Sequence, residues 1–113
     1  MNIDALSSRF KAFSEPVRLR ILYLLLERDE ICVCDLVEAL HLTQSVVSRH
    51  LAYLKNNNLI EARRLGTWVH YKIKPQQLAM ISQLLNNLLV YGRSSAELKQ
   101  DFKQLDVATG ECG

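Results

Sequence analysis

The stretch that decides the fold is Asp35-Leu36-Val37-Glu38-Ala39-Leu40-His41-Leu42-Thr43-Gln44-Ser45-Val46-Val47-Ser48-Arg49-His50-Leu51-Ala52-Tyr53-Leu54-Lys55. Leu36 and Leu40 stand four apart, so they share one face of a short helix that runs from Ile31 to Leu40. A break at His41-Leu42-Thr43 follows, and Thr43 is suited to cap a second helix. In that helix Val47, Leu51 and Leu54 point inward at spacings of four and three. Two short helices joined by so tight a turn form a helix-turn-helix signature. The second helix should stop at Asn56-Asn57-Asn58, where an Asn tolerates the left-handed cap conformation.

Upstream, Ile3, Leu6, Phe10 and Phe13 repeat at helical spacing, and a second helix should follow Ser14 as N-cap with Pro16 in its first turn. Its apolar residues Val17, Leu19, Ile21, Leu22, Leu24, Leu25 and Leu26 cover most of the circumference, which marks a central core helix. Downstream the period changes to two. Val69, Tyr71 and Ile73 alternate with Trp68, His70, Lys72 and Lys74, and with Leu59 to Arg64 they predict a β-hairpin tipped by Leu65-Gly66-Thr67. A long amphipathic helix is expected from Gln76, carrying Leu78, Ile81, Leu84, Leu85, Leu88 and Leu89. That stripe is wide for the last helix of a small domain, and a second protomer would cover it. Residues 1–92 are therefore expected to form the DNA-binding and dimerisation domain, and 93–113 a polar, partly flexible extension with one helical stretch from Ala96 to Leu105.

Composition limits the function. The chain has 113 residues, 49% of them hydrophobic, which suits one globular domain and excludes intrinsic disorder. No apolar run reaches the roughly 18 residues of a membrane span, and no membrane partner is expected. The N-terminus lacks the pattern of a secretory signal, and three cysteines argue against a disulfide framework, so a cytoplasmic protein is expected. The formal charge of +2 says little until it is divided along the chain. Residues 43–74 hold six basic residues against the single acid Glu61, a net +5, while 1–42 carry −2 and 75–113 carry −1. The cations thus concentrate on the second helix of the motif and the hairpin.

Those residues suit double-stranded DNA. Ser45, Ser48 and Arg49 share a face opposite Val47 and Leu51, and Gln44 lies beside them. Arg pairs bidentately with guanine, Gln with adenine, and hydroxyls such as Thr43 reach bases or phosphates. His50 is a further candidate on this helix. Arg63, Arg64 and Lys72 on the hairpin suit phosphate or minor-groove contact. No cofactor is needed for such binding. No Gly-rich phosphate loop, carboxylate pair or nucleophile–base arrangement appears, so an enzyme is not expected.

Ser14-Glu15-Pro16-Val17-Arg18-Leu19-Arg20-Ile21-Leu22, then Thr43 to Leu51, then the Gly66 hairpin resemble the ArsR/SmtB family of winged-helix repressors. The resemblance extends from about Phe10 to Ile73. It implies a mainly α winged helix-turn-helix that dimerises through its first and last helices. It also implies a homodimer that binds an inverted-repeat operator and releases it when an inducer metal or metalloid binds.

Ile31-Cys32-Val33-Cys34-Asp35-Leu36 resembles the cysteine motif of the arsenic-responsive branch. Thiolates are soft ligands, and As(III) or Sb(III) takes three sulfurs in a pyramidal set. Cysteines at i, i+2 lie on one side of an extended segment but about 200° apart on a helix. Shared binding by Cys32 and Cys34 therefore predicts an unwound helix start, recapped by Asp35 with Glu38. The third cysteine of that branch falls at Val37 here, so the third ligand stays open between Cys112, a thiol from solution and none. Cd(II)- or Pb(II)-responsive and thiol-redox alternatives stay open, the latter through a disulfide between Cys112 and Cys32 or Cys34.

Overall fold

The computed structural model describes residues 1–108. Along them run α1 (Ile3–Ala12), α2 (Pro16–Glu27), β1 (Glu30–Cys32), α3 (Val33–Leu40), α4 (Gln44–Asn56), β2 (Ile60–Leu65), β3 (Trp68–Ile73), α5 (Ala79–Gly92) and α6 (Ala96–Asp106). The architecture is mainly helical with a β-hairpin wing, as the alternating periods predict.

Helix α2 is the axis of the core. Ile21, Leu22, Tyr23, Leu24 and Leu25 are all buried, and around them close Leu36, Ala39 and Leu40 of α3, Val47, Leu51 and Leu54 of α4, and Ile81 and Leu85 of α5. The α2 cap differs from expectation. Glu15 holds the N-cap position and its carboxylate accepts from the Arg18 backbone N–H at 2.9 Å. Ser14 instead donates its hydroxyl to the Lys11 carbonyl at 2.8 Å and closes α1.

The turn between α3 and α4 forms as its residues require. His41 takes the left-handed conformation (φ 55°) and donates its N–H to the Val37 carbonyl, while Thr43 accepts from the Val46 N–H. The α4 end is also as expected, with Asn58 left-handed at φ 62°.

The sheet has three strands, not two. β3 is central, with β1 and β2 antiparallel on either side. Three residues are too few for an alternation to show, so the sequence assigns Ile31 and Cys32 to a helix. Cross-strand pairing places Ile31 opposite Tyr71 and Cys32 opposite His70. The tip is the two residues Gly66 and Thr67, with Leu65 paired to Trp68 inside the ladder and Gly66 supplying φ 65°.

α6 packs on α3 and α2, with Leu98 and Leu105 buried and Phe102 half-buried between them at i, i+4, i+7. Asp101 sits on the same face, which hides the stripe in the sequence. It is 4% exposed and receives both Nε and NH2 of Arg20 at 2.8 and 2.9 Å. Arg20 also donates to the Leu40 carbonyl at 3.0 Å. α5 starts at Ala79, later than expected. Ahead of it, the Gln77 amide donates to the carbonyls of Asn58 and Lys74 at 3.1 and 2.9 Å, closing the base of the wing.

One face stays apolar and open. Ile3 and Phe10 of α1 and Met80, Val90 and Tyr91 of α5 are exposed. Between the helices lies a groove of about 250 Å³ lined by Phe10, Met80, Gln83, Leu84 and Asn87. Among the described residues, no helix is long and apolar enough to cross a membrane.

Candidate nucleic-acid interface and thiol pair

Val47, Leu51 and Leu54 bury one side of α4, and the opposite side presents Gln44, Ser45, Ser48 and Arg49 to solvent. Ala52, Lys55 and Asn56 extend that exposed face. Ala52 carries no polar signal, so sequence reasoning passes over it.

Two expected members of this face have other duties. The Thr43 hydroxyl caps α4 and lies 3.3 Å from the Ser45 hydroxyl. His50 turns inward. Its Nδ1 is 3.4 Å from Arg18 NH1 and 3.6 Å from Glu15 Oε2, and its side chain is 12% exposed. Burial holds the His50 pKa below its usual value, opposed by Glu15 and aided by the charges of Arg18 and Arg49. The packed imidazole belongs to the α2–α4 contact, where Arg18 also lies over the Tyr53 ring at 4.1 Å.

The hairpin is less cationic than its sequence. Arg63 is clamped by Glu30 of β1, with Nε and NH2 each 2.7 Å from a carboxylate oxygen. The hydrogen bond from Arg63 holds the Glu30 carboxyl below its usual range. Lys72 pairs in register with Glu30 on one side and Glu61 on the other. Of the three hairpin cations, Arg64 keeps its charge least offset; its NH1 lies 3.4 Å from the Thr67 carbonyl near the tip. Glu30 lies in the acidic first block of sequence, so only the fold brings it to the wing.

Glu30→Gln should therefore release Arg63 toward phosphate. Tighter DNA binding at low salt is expected, with the slope of log K against log[salt] steeper by about one. Salt-titrated binding isotherms check this, and an unchanged slope would show that Arg63 never reaches the backbone.

The cysteines straddle the junction of β1 and α3. Cys32 ends the strand in extended conformation (φ −68°, ψ 144°), and Cys34 lies in the first helical turn. Their sulfurs are 3.7 Å apart. Two sulfurs each about 2.3 Å from a tetrahedral zinc-type ion stand about 3.8 Å apart, and a pyramidal centre with narrower angles draws them somewhat closer, so the pair is near the spacing of shared ligands without matching that of As(III) as it stands. The unwinding predicted from sequence is not required, because the helix begins only after Cys32. Asp35 and Glu38 have no shortened helix to recap. Cys32 is buried and Cys34 half-buried.

Val37, where the related motif has its third cysteine, packs against the core. Among the described residues, no group of three or more His, Cys, Asp or Glu is arranged to hold a metal ion. Cys112 lies outside the described residues. Near the end of α6, Asp106 accepts from Arg28 at 2.8 Å, which ties that helix end to the segment entering β1.

Comparison with known proteins agrees with this geometry. Residues 15–62, from the α2 cap through α3 and α4 into β2, match the family described as "Bacterial regulatory protein, arsR family". The arsenical resistance operon repressor of Escherichia coli K12 is 42% identical over 77 residues, covering 68% of this chain and 66% of that repressor's length. A cadmium resistance transcriptional regulatory protein CadC homolog of Staphylococcus aureus is 30% identical over 89 residues, covering 79% and 71%. Among solved structures, HlyU of Vibrio cholerae superposes with a TM-score of 0.68 at 28% identity, covering 80% of this chain and 97% of that one. The AntR antimony-specific transcriptional repressor superposes with 0.64 at 26% identity, covering 81% and 80%. The chain belongs to the arsR family of bacterial regulatory proteins, whose members are DNA-binding transcription regulators and not enzymes.

Proposed function

We propose that the protein is a homodimeric cytoplasmic repressor that holds an inverted-repeat operator and releases it when As(III) or Sb(III) binds its cysteine thiolates. Gln44, Ser45, Ser48 and Arg49 read bases in the major groove, and Arg64 contacts the backbone, with Arg63 and Lys72 partly offset there by Glu30 and Glu61. The observation that carries the inducer reading is the 3.7 Å separation of the Cys32 and Cys34 sulfurs at the junction of β1 and α3. The arsenical and antimony repressors among its relatives support it.

The chemistry is exchange of oxygen for sulfur. Each thiol that bonds to arsenous acid gives its proton to a departing hydroxide, so one water leaves for each As–S bond and no electrons change hands. Cys112 supplies the third sulfur. It lies six residues beyond Asp106, a reach of up to about 20 Å for an extended chain, and the Arg28–Asp106 pair directs that end of α6 toward β1. From the thiols two routes lead to DNA. α3 packs directly against α4, and β1 pairs with the wing strand β3. The open apolar faces of α1 and α5 form the dimer contact.

The test is a DNA-release titration. A fluorescent duplex selected by affinity from random-sequence DNA is bound, then arsenite, antimonite, cadmium, lead, zinc or peroxide is added. Arsenite and antimonite should release it at the lowest concentrations, and Cys112→Ser should need more arsenite. Release by cadmium or lead ahead of arsenite would favour a cadmium/lead regulator, and release by peroxide alone a thiol-redox sensor.

A further inference from the structure

Arg20 has donors left over after pairing with Asp101. Of the five N–H groups of a guanidinium, those of Nε and NH2 engage the Asp101 carboxylate at 2.8 and 2.9 Å, and NH2 also reaches the Leu40 carbonyl at 3.0 Å. Among the described residues NH1 has no partner, and Arg18 Nε is the only side-chain nitrogen or oxygen both buried and unpaired. NH1 of Arg20 therefore opens on solvent, on a guanidinium held still by three bonds.

The space it faces is a cleft walled by the start of α2, the end of α3, and α6. One part, about 570 Å³, runs from Pro16 and Arg20 past His41 to Gln100 and Gln104. The other, about 240 Å³, is an apolar recess among Leu19, Leu88, Tyr91 and Leu98. Pro16, Arg20 and Glu97 line both, so the two parts adjoin at this charged pair. The larger part falls within the usual range of small-molecule pockets, about 300–1,000 Å³.

Glu97 is the counterpart of Arg20. Ser95 caps α6 by accepting from the Leu98 N–H at 3.3 Å, so Glu97 is not needed there. Its carboxylate is exposed and joins no hydrogen bond or ion pair among the described residues. The hydrogen bond to Asp101 is the main reason the Arg20 pKa is raised, and the charge of Glu97 adds to it. Yet the salt bridge of Arg20 goes to Asp101 and not to Glu97. A cation and an anion thus face one gap without touching, beside an apolar recess. A molecule with carboxylate and ammonium on one carbon satisfies both, and an aliphatic side chain fills the recess.

We infer that this cleft binds a free α-amino acid with a branched aliphatic side chain. Its carboxylate accepts from Arg20 NH1, its ammonium donates to the Glu97 carboxylate, and its side chain lies among Leu19, Leu88 and Leu98. The site is separate from the thiols and from the exposed face of α4, and goes beyond the function proposed above. It touches the helix-turn-helix through one bond, since the same guanidinium holds the Leu40 carbonyl at the end of α3.

L-Leucine is titrated into the full chain by calorimetry, beside 4-methylpentanoate, which lacks the ammonium, and L-leucine amide, which lacks the carboxylate. One leucine should bind per chain with a Kd on the order of 0.1 mM, as suits so small a ligand. Each analogue should bind about tenfold more weakly. Changing Arg20 threatens the fold, so the variant is Glu97→Gln, at an exposed position, with its folding checked by melting. It should weaken leucine about tenfold, equivalent to about 1.4 kcal/mol, and should not weaken 4-methylpentanoate. Cys32→Ser/Cys34→Ser should bind leucine as the parent does.

Leucine that binds no tighter than either analogue overturns the inference, as does binding undiminished by Glu97→Gln. Absence of heat at leucine about a hundred times the expected Kd overturns it too. Binding that disappears as the protein is concentrated overturns it in favour of a second copy filling the recess beside Tyr91, which also belongs to the open apolar face.

Discussion

Replacing Cys32 and Cys34 together by serine is expected to leave the operator complex intact and to abolish its release by arsenite. Serine keeps the shape of cysteine but offers a hard, protonated hydroxyl in place of a soft thiolate. The cost to the fold is small: burying one hydroxyl at position 32 costs about 1–3 kcal/mol, and position 34 is half-buried. The loss is large because couplings between two sites are typically worth 5- to 150-fold in affinity, about 1–3 kcal/mol. All of it should vanish with the ligands. Labelled-duplex anisotropy with and without arsenite measures both quantities at once. A double variant that still lets go of DNA would place the inducer site elsewhere.

Asp101→Ala should be the most damaging single change away from the thiols. It strands the Arg20 guanidinium, which Asp101's hydrogen bond keeps above its ordinary pKa, between α2, α3 and α6. Removing one partner of a buried pair costs about 3–5 kcal/mol. Arg20 keeps some access to water, with 29% side-chain exposure against 6% for Asp101. The expected loss is therefore just below that range, about 2–3 kcal/mol, and the midpoint of thermal unfolding should fall by roughly 10 °C. Replacing both residues with leucine should recover much of this, because a well-packed apolar pair avoids the desolvation of two charges. A melting curve unmoved by Asp101→Ala would mean that α6 is not fastened to the core.

The parts legible in the sequence are those whose signal lies within one segment. Leu36 with Leu40, Val47 with Leu51 and Leu54, and the Val69-Tyr71-Ile73 alternation each state a period and a buried side without outside help. The parts missed depend on contacts between distant segments. β1 exists because Glu30, Ile31 and Cys32 meet β3 some forty residues later in the chain. Its formation moves Cys32 out of the helix and brings the two sulfurs together. Glu30 and His50 mislead for the same reason. One is an acid from an acidic block that folds onto the wing, and the other a polar residue on a polar helix that turns toward α2. The helix α6 is legible from Ala96 to Leu105, but its packing on the core is masked by Asp101, a charge placed on the buried side because Arg20 waits opposite.

The attachment of α1 has a consequence for the DNA rather than for the protein. Tyr53 and Asn57, both near the end of α4, bond to α1: the Tyr53 hydroxyl donates to the Ser8 carbonyl at 2.9 Å, and Arg9 Nε donates to the Asn57 carbonyl at 3.1 Å. The helix assigned to the dimer contact is thus bolted to the helix assigned to base reading. In the proposed dimer these bonds act as a ruler, setting the distance between the two reading helices with little play. Such a ruler constrains the length of the operator more severely than its letters. A changed base removes one contact, whereas an inserted one rotates a whole half-site around the duplex axis.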